Sequence, residues 1–99
     1  MTVKEFNEIL DNNKIVVCKV GASWCGPCQI IKPFIDELEK ECTDVKFVTL
    51  DADEDEDIVT MLRIRSVPTI LYYKDGEVKD KSLGAIPKEQ IKNHIDNLR

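Results

Sequence analysis

Apolar residues recur along this chain with two periods, three to four residues in some stretches and two in others, and the switches between them outline eight elements. Thr2-Val3-Lys4-Glu5 has the form of a capping box, in which the Thr hydroxyl bonds a free backbone N–H and Glu5 bonds back. Val3, Phe6 and Leu10 follow at helical spacing, predicting a first helix that reaches Asp11–Asn13. Ile15–Val20 is β-branched and apolar on both alternating faces except at Lys19, the pattern of a central strand covered on both sides. Ile30, Ile31, Phe34, Ile35 and Leu38 mark one face of a second helix, from near Gly26 to Glu41–Cys42. Pro33 lies inside it and predicts a kink or unusual packing there.

Val45–Leu50 reads as another strand, and Asp57–Ile64 as a short third helix with acids ahead of its positive N-terminus. Thr69–Lys74 and Glu77–Ser82 flank Asp75-Gly76, a strong two-residue hairpin signal. Pro87 suits the first position of a last helix, on which Ile91, His94, Ile95 and Leu98 share a face. The order α-β-α-β-α-β-β-α has short connections and no repeat or low-complexity tail. It predicts an α/β fold in one domain, residues 1–99: a βαβ unit joined to an antiparallel hairpin in one mixed sheet, with helices on both faces.

Length and charge narrow the function. A chain of 99 residues supports one modest core. Its 14 basic against 19 acidic residues leave a formal charge of −5, which argues against a general binder of nucleic acid or anionic membrane. The longest apolar runs, Ile15–Cys18 and Ile70–Tyr73, fall short of the ~20 residues of a membrane span and of the roughly 7–15 of a signal-peptide core. No membrane partner and no export signal are expected.

Four cysteines carry the candidate chemistry. Cys18 sits in an apolar run and reads as a small core residue. Cys42 ends a charged helical segment and reads as an exposed thiol open to oxidation. Cys25 and Cys28 lie three apart, so the distribution favours one special pair, two bystanders and a reducing compartment. Trp24-Cys25-Gly26-Pro27-Cys28 follows a strand and opens a helix, where unpaired N–H groups and the helix dipole stabilise a thiolate. Cys25 precedes the helix and is expected to be exposed, as the attacking sulfur. Cys28, one turn inside, is placed to close a short disulfide. Gly26 permits the tight turn, and Pro27 lacks an N–H and stiffens it. The competing reading is half of a zinc site. That needs two further ligands, and Cys18, Cys42 and His94 are spaced like no familiar finger or ribbon.

Taken together, Ala22-Ser23-Trp24-Cys25-Gly26-Pro27-Cys28, Pro33, Val67-Pro68-Thr69, Lys74-Asp75-Gly76-Glu77 and Leu83-Gly84-Ala85 resemble the thioredoxin family over nearly the whole chain. The resemblance implies the thioredoxin fold and a thiol–disulfide oxidoreductase that reduces protein disulfides. Cys25 would attack to form a mixed disulfide and Cys28 would resolve it. It further implies a cis Pro68 facing the pair, with the Val67 backbone free to bond an extended substrate. Trp24, Gly26, Pro27, Val67, Gly84 and Ala85 would line an apolar groove around Cys25. Taken alone, Trp24 reads as core and Val67-Pro68 as an ordinary start of a strand. No bound cofactor is implied: electrons would come from NADPH through a thioredoxin reductase. Partners would be that reductase and disulfide-containing proteins, met by a cytoplasmic monomer serving as an electron carrier. The alternative is an interaction subunit of the same fold that binds partners without turnover.

Two departures from the family pattern stand out. Six residues before the first cysteine, where the family usually has a buried Asp, this chain has Lys19. Lys19 fits three roles: a base if burial depresses its pKa, a cation that stabilises a Cys28 thiolate, or the partner of a nearby carboxylate, the ordinary fate of a buried cation. The chain also starts at the first helix, without the strand that usually precedes it, so a four-stranded sheet is expected, with one edge less covered.

Asp51–Asp57 holds six acids in seven residues, but a calcium loop counted from Asp51 would need Gly at its sixth place and Glu at its twelfth, where this chain has Glu56 and Leu62. It reads as a solvated acidic lead-in to the third helix. His94 reads as a packed or edge histidine.

Overall fold

In the computed structural model, which describes every residue from Met1 to Arg99, the eight elements follow the expected order. They are α1 (Val3–Asn12), β1 (Ile15–Gly21), α2 (Gly26–Glu41), β2 (Lys46–Asp51), α3 (Glu56–Met61), β3 (Thr69–Lys74), β4 (Glu77–Leu83) and α4 (Lys88–Asp96). Both halves of the Thr2–Glu5 capping box are formed, and Asp75 and Gly76 both take positive φ (53° and 81°), as the tight hairpin turn requires.

The sheet has four strands in the order β2-β1-β3-β4. β1 runs parallel to β2 and antiparallel to β3, and β3 runs antiparallel to β4. β1 is buried along its whole length because its alternating side chains feed two cores. Ile15 and Val17 pack with Ile31, Ile35 and Leu38 of α2 and Ile91 and Ile95 of α4. Val16, Cys18 and Val20 pack with Phe6 of α1 and Ile58 and Val59 of α3. Each such aliphatic side chain, fully buried, contributes about 1.5–3 kcal/mol. By the same alternation Lys19 stands on the Val17 side, beneath α2.

Three expectations are corrected. The third helix stops at Met61, not Ile64. The Arg63 N–H donates to the Thr60 carbonyl and the Ile64 N–H to that of Val59, with Arg63 at φ 57°, so the chain leaves the helix through a left-handed turn. Pro87 is the residue before α4, with extended backbone, and the helix begins at Lys88. Cys42 is buried: it caps the end of α2 with its N–H on the Leu38 carbonyl, and its side chain joins the core beside Leu38 and Val45. The α2 helix runs unbroken through Pro33.

An arginine at the left-handed position is held against its backbone preference. Arg63→Gly is therefore expected to raise stability by about 0.5–1 kcal/mol, read by urea unfolding. Unchanged or lowered stability would show that the Arg63 side chain offsets the strain.

Candidate active site

The end of β1 delivers the cysteine pair. After Gly21 the chain turns through Ala22–Trp24, with the Cys25 N–H donating to the Ala22 carbonyl at 3.2 Å. Cys25 then caps α2: its Sγ accepts the Cys28 backbone N–H at 3.2 Å. Cys28 lies in the first turn, its Cα 5.3 Å from that of Cys25, and the two sulfurs are joined as a disulfide. The helix begins with Gly26 and Pro27, both exposed.

Cys25 is not exposed as expected. It is 5% accessible against 3% for Cys28, because the bonded sulfurs turn inward among Ala22, Ala52 and Val67. What distinguishes the two is the cap: Cys25 is the sulfur set against the helix's free N–H groups, the position that favours a thiolate.

The Val67–Pro68 peptide bond is cis, and Val67 packs against the Ala22–Cys25–Cys28 cluster. The Val67 N–H and C=O bond to nothing within the chain. Trp24 is 69% exposed, which excludes the core reading, and its Nε1 donates to Asp53 Oδ2 at 3.0 Å. Trp24 and Val67 line one cleft of about 190 Å3 beside the pair. Gly84 and Ala85 lie outside it. The Gly84 N–H donates to the Pro68 carbonyl at 2.9 Å, and Ala85 is exposed.

Lys19 is 7% exposed and forms no ion pair. The pairing role fails because the nearby Asp36 is taken by Lys32, whose Nζ donates to Oδ2 at 3.1 Å. Burial and the Lys32 charge hold the Lys19 pKa below the ordinary lysine value, against a smaller opposing pull from Asp36. Lys19 shares a cleft of about 220 Å3 with Gly21, Cys28, Lys32 and Asp51. Lys19 Cε and Cys28 Sγ each lie 3.4 Å from the point where a Gly21 Cβ would stand, so they are within about 7 Å of each other, close enough for charge to be felt.

Cys18 faces the other core, where burial pushes its thiol up to about 12, so it stays protonated and inert. His94 is half-buried as expected, stacked on Tyr72 at 4.8 Å with Nδ1 2.5 Å from Asp80 Oδ2.

The acidic run is not merely solvated. Asp51 Oδ1 accepts the N–H groups of Asp53 and Glu54, and Asp55 accepts the Asp51 N–H and the terminal ammonium. This folded loop places Asp53 beneath Trp24. The signal in the sequence was the Asp-x-Asp spacing, which suits side chains that cap their own loop.

The family model described as Thioredoxin matches residues 1–97. The chain is 40% identical over 88 residues to a thioredoxin of Mycoplasmoides gallisepticum, covering 89% of this chain and 88% of that protein. It is 42% identical over 94 residues to a chloroplastic M-type thioredoxin of Spinacia oleracea, covering 94% of this chain but only 51% of that one. Among solved structures, Fasciola hepatica thioredoxin superposes with a TM-score of 0.93 at 29% identity, over 99% of this chain and 95% of that one.

Proposed function

This chain belongs to the thioredoxin family and is a protein-disulfide reductase, and from that premise we propose that Cys25 is its attacking thiolate and Cys28 its resolving thiol. The observation that carries the assignment is the Cys25 sulfur at the N-cap of α2, accepting the Cys28 N–H. The Cys25 thiolate attacks one sulfur of a substrate disulfide, and the other leaves as a thiolate and takes up a proton. Cys28 then loses its proton and attacks Cys25 Sγ, so the second substrate sulfur leaves. Two electrons pass to the substrate, and the pair ends oxidised.

The free N–H and C=O of Val67 bond an extended substrate segment, while the Trp24 and Val67 side chains flank it. Pro68 and Gly84 shape that turn, and Gly26 and Pro27 leave the approach to Cys25 open. Lys19 is a positioning residue whose charge favours the Cys28 thiolate when Cys28 must attack.

The chemistry of the family needs no bound cofactor. The oxidised pair is recharged by a thioredoxin reductase drawing on NADPH, and the chain works as a monomeric electron carrier in the cytoplasm. No helix is long and apolar enough to cross a membrane. A binding-only subunit has no need of two cysteines in bonding reach, and that reading is not favoured. Insulin reduction coupled to NADPH and a thioredoxin reductase tests the cycle: sustained NADPH consumption is expected. Turnover with dithiothreitol but none with any reductase tried would remove the assigned electron source.

A further inference from the structure

We propose that the groove between the end of α3 and the outer face of the β3–β4 hairpin docks an acidic, leucine-like flank of the disulfide substrate, a surface that rests on the reductase reading and extends the site around Cys25. The groove has a volume of about 620 Å3. Lys81 stands opposite Leu71 and Leu83 opposite Thr69, on the side of the sheet that α1 and α3 cover. Those helices leave β4 bare: Val78 is 51% exposed and Leu83 56%. Because α3 stops at Met61, the Leu62–Ser66 segment forms the opposite wall.

Charge selects the occupant. Arg63, Arg65 and Lys81 line the groove, no acidic side chain does, and none of the three is in an ion pair. Five basic residues elsewhere, Lys32, Lys79, Lys88, Lys92 and Arg99, have carboxylate partners. Other lysines are also unpaired, and what sets the groove apart is three cations lining one apolar cleft with no acid. A chain of net charge −5 thus presents an apolar floor rimmed by free cations, which fits a segment mixing carboxylates with aliphatic side chains.

Position ties the groove to the chemistry. Ile64, Arg65 and Ser66 line both this groove and the cleft holding Trp24 and Val67, so one short segment walls both. A chain bonded to Val67 passes over Ser66 into the groove. Arg63 keeps a long cationic side chain at a left-handed position that glycine would fill with less strain.

The test uses pre-reduced protein and two peptides sharing one disulfide core, one with Glu-Leu tails at both ends and one with Lys-Leu tails, followed through a single turnover. At low salt the acidic peptide is expected to be reduced about tenfold faster, with the gap closing near ~0.5 M salt. Charge reversal at Arg63→Glu and Lys81→Glu together is expected to invert the order while leaving reduction of uncharged bis(2-hydroxyethyl) disulfide unchanged. Arg63→Gly is expected to lose part of the preference in a fold at least as stable, so that the loss is not one of folding. Equal rates for the two peptides, or a preference that survives charge reversal, would overturn the docking surface and leave the reductase intact. Failure to reduce bis(2-hydroxyethyl) disulfide and both peptides alike would overturn the reductase reading and the docking surface with it.

Discussion

Cys28→Ser is expected to turn the protein from a catalyst into a trap. With Cys25 capping α2 and Cys28 absent, attack on a substrate disulfide still forms the Cys25–substrate bond, but nothing within the site displaces it. Mixed disulfides should accumulate to near one per chain, while multiple turnover falls on the order of 10³-fold, since one member of a nucleophilic unit carries most of its rate. Cys25→Ser should lose turnover as severely and form no adduct. Mass analysis after alkylation of free thiols separates the outcomes. Adducts on the remaining Cys28 in Cys25→Ser, at the rate seen for Cys25 in Cys28→Ser, would mean that the cap does not choose the nucleophile.

The second large effect concerns Lys19, and it has two signs. Lys19→Met removes a buried cation with no ion-pair partner and is expected to stabilise the fold by roughly 1–3 kcal/mol near neutral pH. The folded-state pKa lies below the 10.5 of an ordinary lysine, so between the two the unfolded chain binds more protons and wild-type stability rises with pH. The advantage of the variant is thus full below the folded-state pKa and vanishes as pH rises to 10.5. Urea unfolding at pH 7 and near pH 10.5 reads the difference. Activity should move the opposite way. Without the nearby positive charge the Cys28 thiolate is less favoured, so the pH profile for insulin reduction shifts to higher pH. A profile from about pH 5 to 9 that matches wild type would take Lys19 out of the mechanism.

Local physics made most of the scaffold legible. The capping box at Thr2, the β-branched run at Ile15 and the Asp75-Gly76 turn are decided by neighbours in sequence, and each stands where the sequence places it. The cysteine pair was legible for the same reason, since a strand, a turn and a helix start in that order already place a sulfur at an N-cap. What escaped depends on partners distant in the chain. Whether Lys19 has a carboxylate turns on Lys32 having taken Asp36. Cys42 is buried because α2 returns its last turn to the core, and Asp53 matters because a separate turn brings Trp24 over it. Periodicity overruns the end of α3 because Leu62 and Ile64 continue the helical apolar spacing while the backbone between them, at Arg63, turns left-handed. Nor could periodicity show the cationic groove, whose walls come from α3 and β4.

The central claim is that electrons leave through Cys25 and Cys28 and no other thiols. Fully reduced protein mixed with one equivalent of a disulfide substrate, quenched in acid and mapped by mass spectrometry, tests it most directly. One Cys25–Cys28 disulfide should appear for each substrate disulfide reduced, with Cys18 and Cys42, both buried, recovered as free thiols. Substrate thiols released without oxidation of that pair, or matched by oxidation at Cys18 or Cys42, would contradict the account.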